Sequence, residues 1–127
     1  MAITVAQAGS VQISDTVTNN LTLNKTFAAL NFVGSVSTFA ESVNIGTSPT
    51  SIALPVSPTI YVYIKNAHAT QTLQVTWTPN GGASNVVVTL QPGEYIVKGA
   101  FNNTSGITAL TLLGSGVNTT CEYILAG

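Results

Sequence analysis

His68 is the single imidazole of the chain, so a Cys–His pair or a Ser–His–acid nucleophile would have to be built on it. It lies in "KNAHATQT", a polar connection between two stretches of strand character. A lone histidine in such a place is ordinarily solvated and idle. The other groups on which acid–base or metal chemistry could draw are Asp15, Glu41, Glu94, Glu122 and Cys121. One His, one Cys and four scattered acids have no recognisable metal-ligand spacing. Glycoside hydrolysis needs two carboxylates facing one bond, and nothing in the sequence pairs any two of these four. "NGGASN" has the glycines of a phosphate loop but neither a following helix nor a Lys-Ser/Thr pair, so they read as turn residues. This poverty of acid–base groups predicts a protein that is not an enzyme and needs no cofactor or metal.

Glu94 stands out among the acids, because it follows Pro92 and Gly93 in "VVVTLQPGEYIV". Proline presets φ near −65° and glycine accepts the positive φ of the next position, which together specify a type II turn. The flanking runs make this the corner of a β-hairpin. That reading uses Pro92 and Gly93 and is indifferent to the acid. Cys121 reads as a small buried side chain. Five Asn-x-Ser/Thr patterns, beginning at Asn20, Asn24, Asn102, Asn103 and Asn118, reflect the abundance of Asn and Thr.

The aromatic residues are the better candidates for contact. "TIYVYIKN" places Ile60, Val62 and Ile64 on one face and Tyr61, Tyr63 and Lys65 on the other. Trp77 shares a face with Leu73 and Val75 and is expected in the core. Tyr61 and Tyr63 are expected to rest on a neighbouring subunit, since tyrosine is enriched at interfaces. With His68 they are also the first candidates for a carbohydrate site.

The elements that must position these residues are strands. Thr, Val and Ile dominate, punctuated at short intervals by Gly, Pro, Asn and Ser. Strands are expected at 10–18, 20–24, 59–66, 72–79, 86–90, 95–98 and 107–115, with "TCEYILAG" closing the chain. Residues 79–85 read as a hairpin connection and 48–59, with three of the five prolines, as a loop or irregular edge. The stretch 26–43 reads as strand with a short helical turn around Phe27 to Leu30. Short strands at this spacing predict an all-β fold: a single-domain antiparallel β-sandwich over 1–127, jelly-roll-like, with 1–20 as an N-terminal arm or edge strand.

Charged residues make up 6% of the 127 residues, against about 25% in ordinary soluble proteins. The formal net charge is −1. A surface with so few ions loses little on close contact with its own copies and lacks the repulsion that keeps molecules apart. Three lysines with no run, and no arginine, predict neither a nucleic-acid partner nor a polybasic membrane patch. No basic n-region, sustained apolar core or membrane-length apolar stretch stands out, and one cysteine makes no internal disulfide. The expectation is synthesis and assembly in a cytoplasm.

The segment "SIALPVSPTIYVYIKNAHATQTLQVTWTPNGGASNVVVTLQPGEYIV", with the later "GITALTLLGSGVNTTCEYILAG", resembles small accessory virion proteins of tailed bacteriophages: head decoration, head-fibre and minor capsid β-sandwich components. The resemblance covers about residues 51–127. It implies a virion subunit present in many copies, a homo-oligomer and often a trimer, bound to the major capsid protein or other virion subunits and stabilising the shell. A carbohydrate- or receptor-binding module of a tail or fibre is the alternative. No functional residues carry over.

Overall fold

A computed structural model describes residues 3–14, 22–99 and 106–127, and strands dominate all three segments. Two four-stranded antiparallel sheets form a sandwich, and a two-stranded ribbon stands beside it. The ribbon is β1 (Ile3–Ser14) and β2 (Thr22–Gly34). One sheet has the order β3 (Ser37–Ile45), β10 (Thr119–Ala126), β5 (Tyr61–Asn66), β8 (Tyr95–Gly99). The other runs β4 (Thr50–Ser51), β9 (Ile107–Gly114), β6 (Leu73–Pro79), β7 (Val86–Leu90). From β3 onward the chain passes repeatedly between the sheets, and the first and last strands of the sandwich are neighbours.

Period-2 alternation builds the core. Val62 and Ile64 of β5, Cys121 and Leu125 of β10 and Ile45 of β3 face Leu73 and Val75 of β6, Leu90 of β7, and Leu110 and Leu112 of β9. Trp77 packs against this cluster, as its spacing with Leu73 and Val75 predicts. The connection 79–85 joins β6 and β7 as a hairpin, with positive φ at Gly81 and Gly82.

Three expectations need correction. Phe27 to Leu30 lie within β2, and no helix occurs among the described residues. Pairing with β1 along the length of β2 outweighs the weak local helical preference. Second, the Pro-Gly turn is not the corner of a hairpin. It has the expected tight form, with Glu94 N–H donating to Gln91 O at 3.0 Å and Gly93 at φ 83°. Yet β7 and β8 belong to different sheets, so the turn arches over the open edge of the sandwich. Third, the acid is not incidental: Glu94 Oε2 accepts Gln91 N–H at 2.7 Å and closes the arch with a further bond. The expected strand at 10–18 is described only to Ser14, and residues 15–21 lie outside the described segments.

Asn66, fully buried at the end of β5, ties this arch to the loop that follows it. Its Nδ2 donates to Gln71 O at 2.8 Å and Leu90 O at 3.0 Å, and its Oδ1 accepts His68 N–H at 3.1 Å. Its own backbone donates to Glu94 O and accepts from Gly93 N–H.

The ribbon follows another logic. Directly opposed residues share a face. Val5–Phe32, Gln7–Leu30, Gly9–Phe27, Val11–Lys25 and Ile13–Leu23 are register pairs on one face; Ala6–Asn31, Ser10–Thr26 and Gln12–Asn24 are pairs on the other. A bulge between Gln7 and Gly9 preserves the pattern across the middle. Ala6, Ala8, Gly9, Ser10 and Val11 are all exposed, so neither side is covered by the sandwich there.

Candidate interaction face

The two outer faces of the sandwich differ in chemistry. On the β4-β9-β6-β7 sheet the outward register rows are largely hydroxyl and amide. Thr76 stands opposite Thr111, Gln74 opposite Thr89, and Ser51 opposite Thr111, with Val87 and Leu113 as apolar exceptions. Such a face keeps its hydration at little cost.

The β3-β10-β5-β8 sheet presents the opposite. Its central outward row runs Phe39, Ile124, Tyr63, Val97, each residue the direct register partner of the next. The row crosses all four strands without a charge. Phe39 is 60% exposed at one end, and Tyr95, two residues along β8 from Val97, is 62% exposed at the other. Ile124, Tyr63 and Val97 are half-buried between them. β-Branched and aromatic residues make good strands. Here the same alternation that sends Val62, Ile64 and Leu125 inward sends Tyr63 and Ile124 outward.

One polar cluster borders the row. Tyr63 Oη donates to Glu122 Oε1 at 2.6 Å. Glu122 stands opposite Lys65 in register, and Lys65 opposite Tyr95. The Tyr63 and Tyr95 rings lie 6.1 Å apart at 43°, a tilted aromatic pair. The pKa of the Tyr63 hydroxyl is pushed up to about 12, first by burial and then by its hydrogen bond to Glu122 and the charge of that carboxylate. At neutral pH it is a fixed donor that orients the glutamate. Burial also pushes Tyr61 up.

The residues singled out from the sequence end in three different settings. Tyr63 lies in the middle of the apolar row. Tyr61 shares its face but is only 9% exposed, lying against Gly99, and offers little surface to a ligand. His68 is committed to its loop: Nδ1 accepts Thr70 N–H at 3.1 Å and Gln71 N–H at 2.9 Å. As an acceptor this nitrogen carries no proton, so the proton of the neutral ring sits on Nε2. His68 organises the β5–β6 connection.

Sequence reasoning missed Phe39, Ile124, Val97 and Tyr95, and singled out Glu122 only as one of the scattered acids. Alternation within "TCEYIL" and "GEYIV" separates two faces in each strand, but only the inter-sheet pairing says which face turns outward.

Where β7 and β8 part, an open groove of about 520 Å³ runs along the sandwich edge, lined by Val88, Thr89, Leu90, Gly93, Glu94, Tyr95 and Ile96. Its one acid, Glu94, already holds Gln91 N–H. Cys121 is fully buried and its thiol is pushed up to about 11, by burial first and by the neighbouring Glu122 carboxylate second. Among the described residues no three His, Cys, Asp or Glu side chains gather as a metal site would need. The Phe39–Ile124–Tyr63–Val97 row offers an aromatic and aliphatic contact surface. Comparison with protein-family models, curated proteins and solved structures finds no match.

Proposed function

We propose that this chain is a structural subunit of a virus particle, a capsid decoration or minor capsid component that binds the shell as a homo-oligomer and stabilises it. The observation that carries the reading is the uncharged Phe39–Ile124–Tyr63–Val97 row on a protein with only 6% charged residues. Such a row gains by being covered, and few ions need desolvating when it is. We read the strand order, with strands passing between two four-stranded sheets and first and last adjacent, as that of a jelly roll. This architecture recurs in viral capsid and lectin domains. The likeness of residues 51–127 to accessory virion proteins of tailed phages favours the former, with a trimer on the capsid and the major capsid protein as partner. Many symmetric copies would add avidity to modest individual contacts.

The test is direct. Antibodies against the purified protein should label particle surfaces under the electron microscope. Purified protein added back to stripped shells should raise their melting temperature, and Phe39→Glu protein should not. Particles that lack the chain altogether would overturn the reading.

A second reading, a carbohydrate- or receptor-binding module of a tail or fibre, draws on the edge groove and on Tyr95 as its aromatic wall. It predicts ligands on a glycan array and a thermal shift that Tyr95→Ala abolishes; a blank array with no shift would remove it.

A further inference from the structure

The two sheets of the sandwich have four edge strands, and one of them is left unguarded. We propose that β7 pairs with β7 of a second copy of the chain, antiparallel about a two-fold axis at Val88, so that two β4-β9-β6-β7 sheets join into one. The proposal rests on the reading of the chain as an assembly subunit and names a contact apart from the Phe39–Ile124–Tyr63–Val97 row.

An edge strand shows unpaired backbone groups and invites another strand unless something blunts it. β3 is blunted by exposed Glu41 and by a bulge, where Glu41 and Ser42 fall between the Val43–Cys121 and Ala40–Tyr123 pairs. β4 is only two residues long. β8 carries Lys98 in register with buried Val62, a charge on the core side of the strand. β7, "VVVTL", has no charge, no proline and no bulge, and all five of its residues keep register with β6. Among the described residues, the backbone of Val86 to Thr89 makes no hydrogen bond beyond that ladder. Alternate residues of an antiparallel strand turn their N–H and C=O to opposite sides, so two or three of the five face the open edge. Three of the seven exposed large hydrophobic residues, Val86, Val87 and Tyr95, also gather there, so the strip gains by being covered.

Three arguments select a second copy as the occupant. The first is register. Val86, Val88 and Leu90 stand opposite Trp77, Val75 and Leu73 on the core side, and Val87 and Thr89 stand opposite Thr76 and Gln74 on the outer side. A two-fold at Val88 sets Val87 against the partner copy's Thr89 and Val86 against its Leu90. Core side meets core side and outer meets outer. The second is charge: with none on β7, self-pairing sets no like charges opposite one another. The third is order. A free peptide gives up backbone freedom at every residue it lays down, while only alternate residues gain bonds across the edge. A folded copy brings its strand already ordered.

Area sets the strength. Five residues make an edge about 17 Å long, and two sheets 10 Å apart with their outer side chains make it about 20 Å deep. Both copies together bury about 700 Å², below the range of permanent interfaces. The pair is therefore weak in dilute solution and forms where many copies are held close together.

The experiment uses the full chain. In sedimentation equilibrium the unit present in dilute protein should double reversibly between about 10 μM and about 1 mM. The double variant Val87→Lys/Thr89→Lys, on two exposed outer positions, sets like charges opposite each other twice and should weaken doubling by about tenfold or more. Val87→Lys/Thr89→Glu sets opposite charges there and should restore it, with far-UV spectra unchanged in both. Val87→Cys protein mixed with Thr89→Cys protein should form mixed disulfides faster than either variant alone, because only that pair is directly opposed. No doubling up to about 1 mM overturns the proposal. So does doubling indifferent to both charge variants, or disulfides with no preference for the mixed pair. Loss of shell binding by Val87→Lys/Thr89→Lys in a protein that never doubles would assign the edge to another protein's strand and overturn self-pairing. Doubling through β7 in a protein that binds no particle would defeat the virion reading and leave this one standing. Shell binding without doubling would do the reverse.

Discussion

Tyr63 donates its hydroxyl to Glu122 across the β5–β10 pair at 2.6 Å, a diagonal contact that fixes a carboxylate at the border of an apolar row. Because the folded-state value is raised from 10 to about 12, the protonated tyrosine is favoured by folding. The associated stability is fully present below pH 10 and is lost as pH rises from about 10 to 12. The melting temperature should therefore fall across that window, and Tyr63→Phe should flatten this fall. Absorbance at 295 nm should show a late tyrosine ionisation, to which the buried Tyr61 also contributes, and Glu122→Gln should move the Tyr63 part of it toward lower pH.

Asn66 is another polar residue on which the fold depends. Its side chain makes three hydrogen bonds in a fully buried position, joining the β5–β6 loop to the end of β7. Asn66→Ala leaves two carbonyls and one N–H without their partner and should cost about 3 kcal/mol in urea unfolding. His68→Ala removes an acceptor from a more exposed loop and should cost about 1 kcal/mol.

Gly114 ends β9 where the chain passes close to another backbone. A Cβ there would lie 2.9 Å from Ile45 O and 2.7 Å from Thr119 Cβ. The carbonyl belongs to a strand end and cannot swing aside. Gly114→Ala should destabilise by about 1–3 kcal/mol, the usual cost of overpacking. Gly46→Ala, where nothing lies within 4 Å, should be nearly neutral and serves as the control.

Cys121 should be inert. With no exposed surface and a thiol pushed up to about 11, it should stay unreacted with an aromatic disulfide reagent at pH 8. It should react at once in denaturant. Fast labelling of native protein would show that β10 opens locally.

Particular residues show how far the sequence could be read. Leu73, Val75 and Trp77 alternate against Gln74, Thr76 and Thr78, and that pattern placed the core side of β6 correctly. Pro92 and Gly93 specified their turn, but not that it would join two sheets. Two residues of local geometry cannot say whether the strands they leave will pair with each other or part. Phe27 to Leu30 carry a mixed local signal, and pairing with β1 decided it. Tyr63 was found because it alternates cleanly with Val62 and Ile64; Phe39 and Ile124 were not, because their significance is collective.

By itself, the sequence determined a strand-built protein with a nearly ion-free surface, since alternation and composition are properties of residues taken in order. Only the tertiary structure decided that β3, β10, β5 and β8 lie side by side and turn four apolar positions into one row. The physical reason is that a strand's period fixes which residues share a face. Which strands become neighbours, and which face meets the core, depends on hydrogen bonds and burial between segments far apart in the chain.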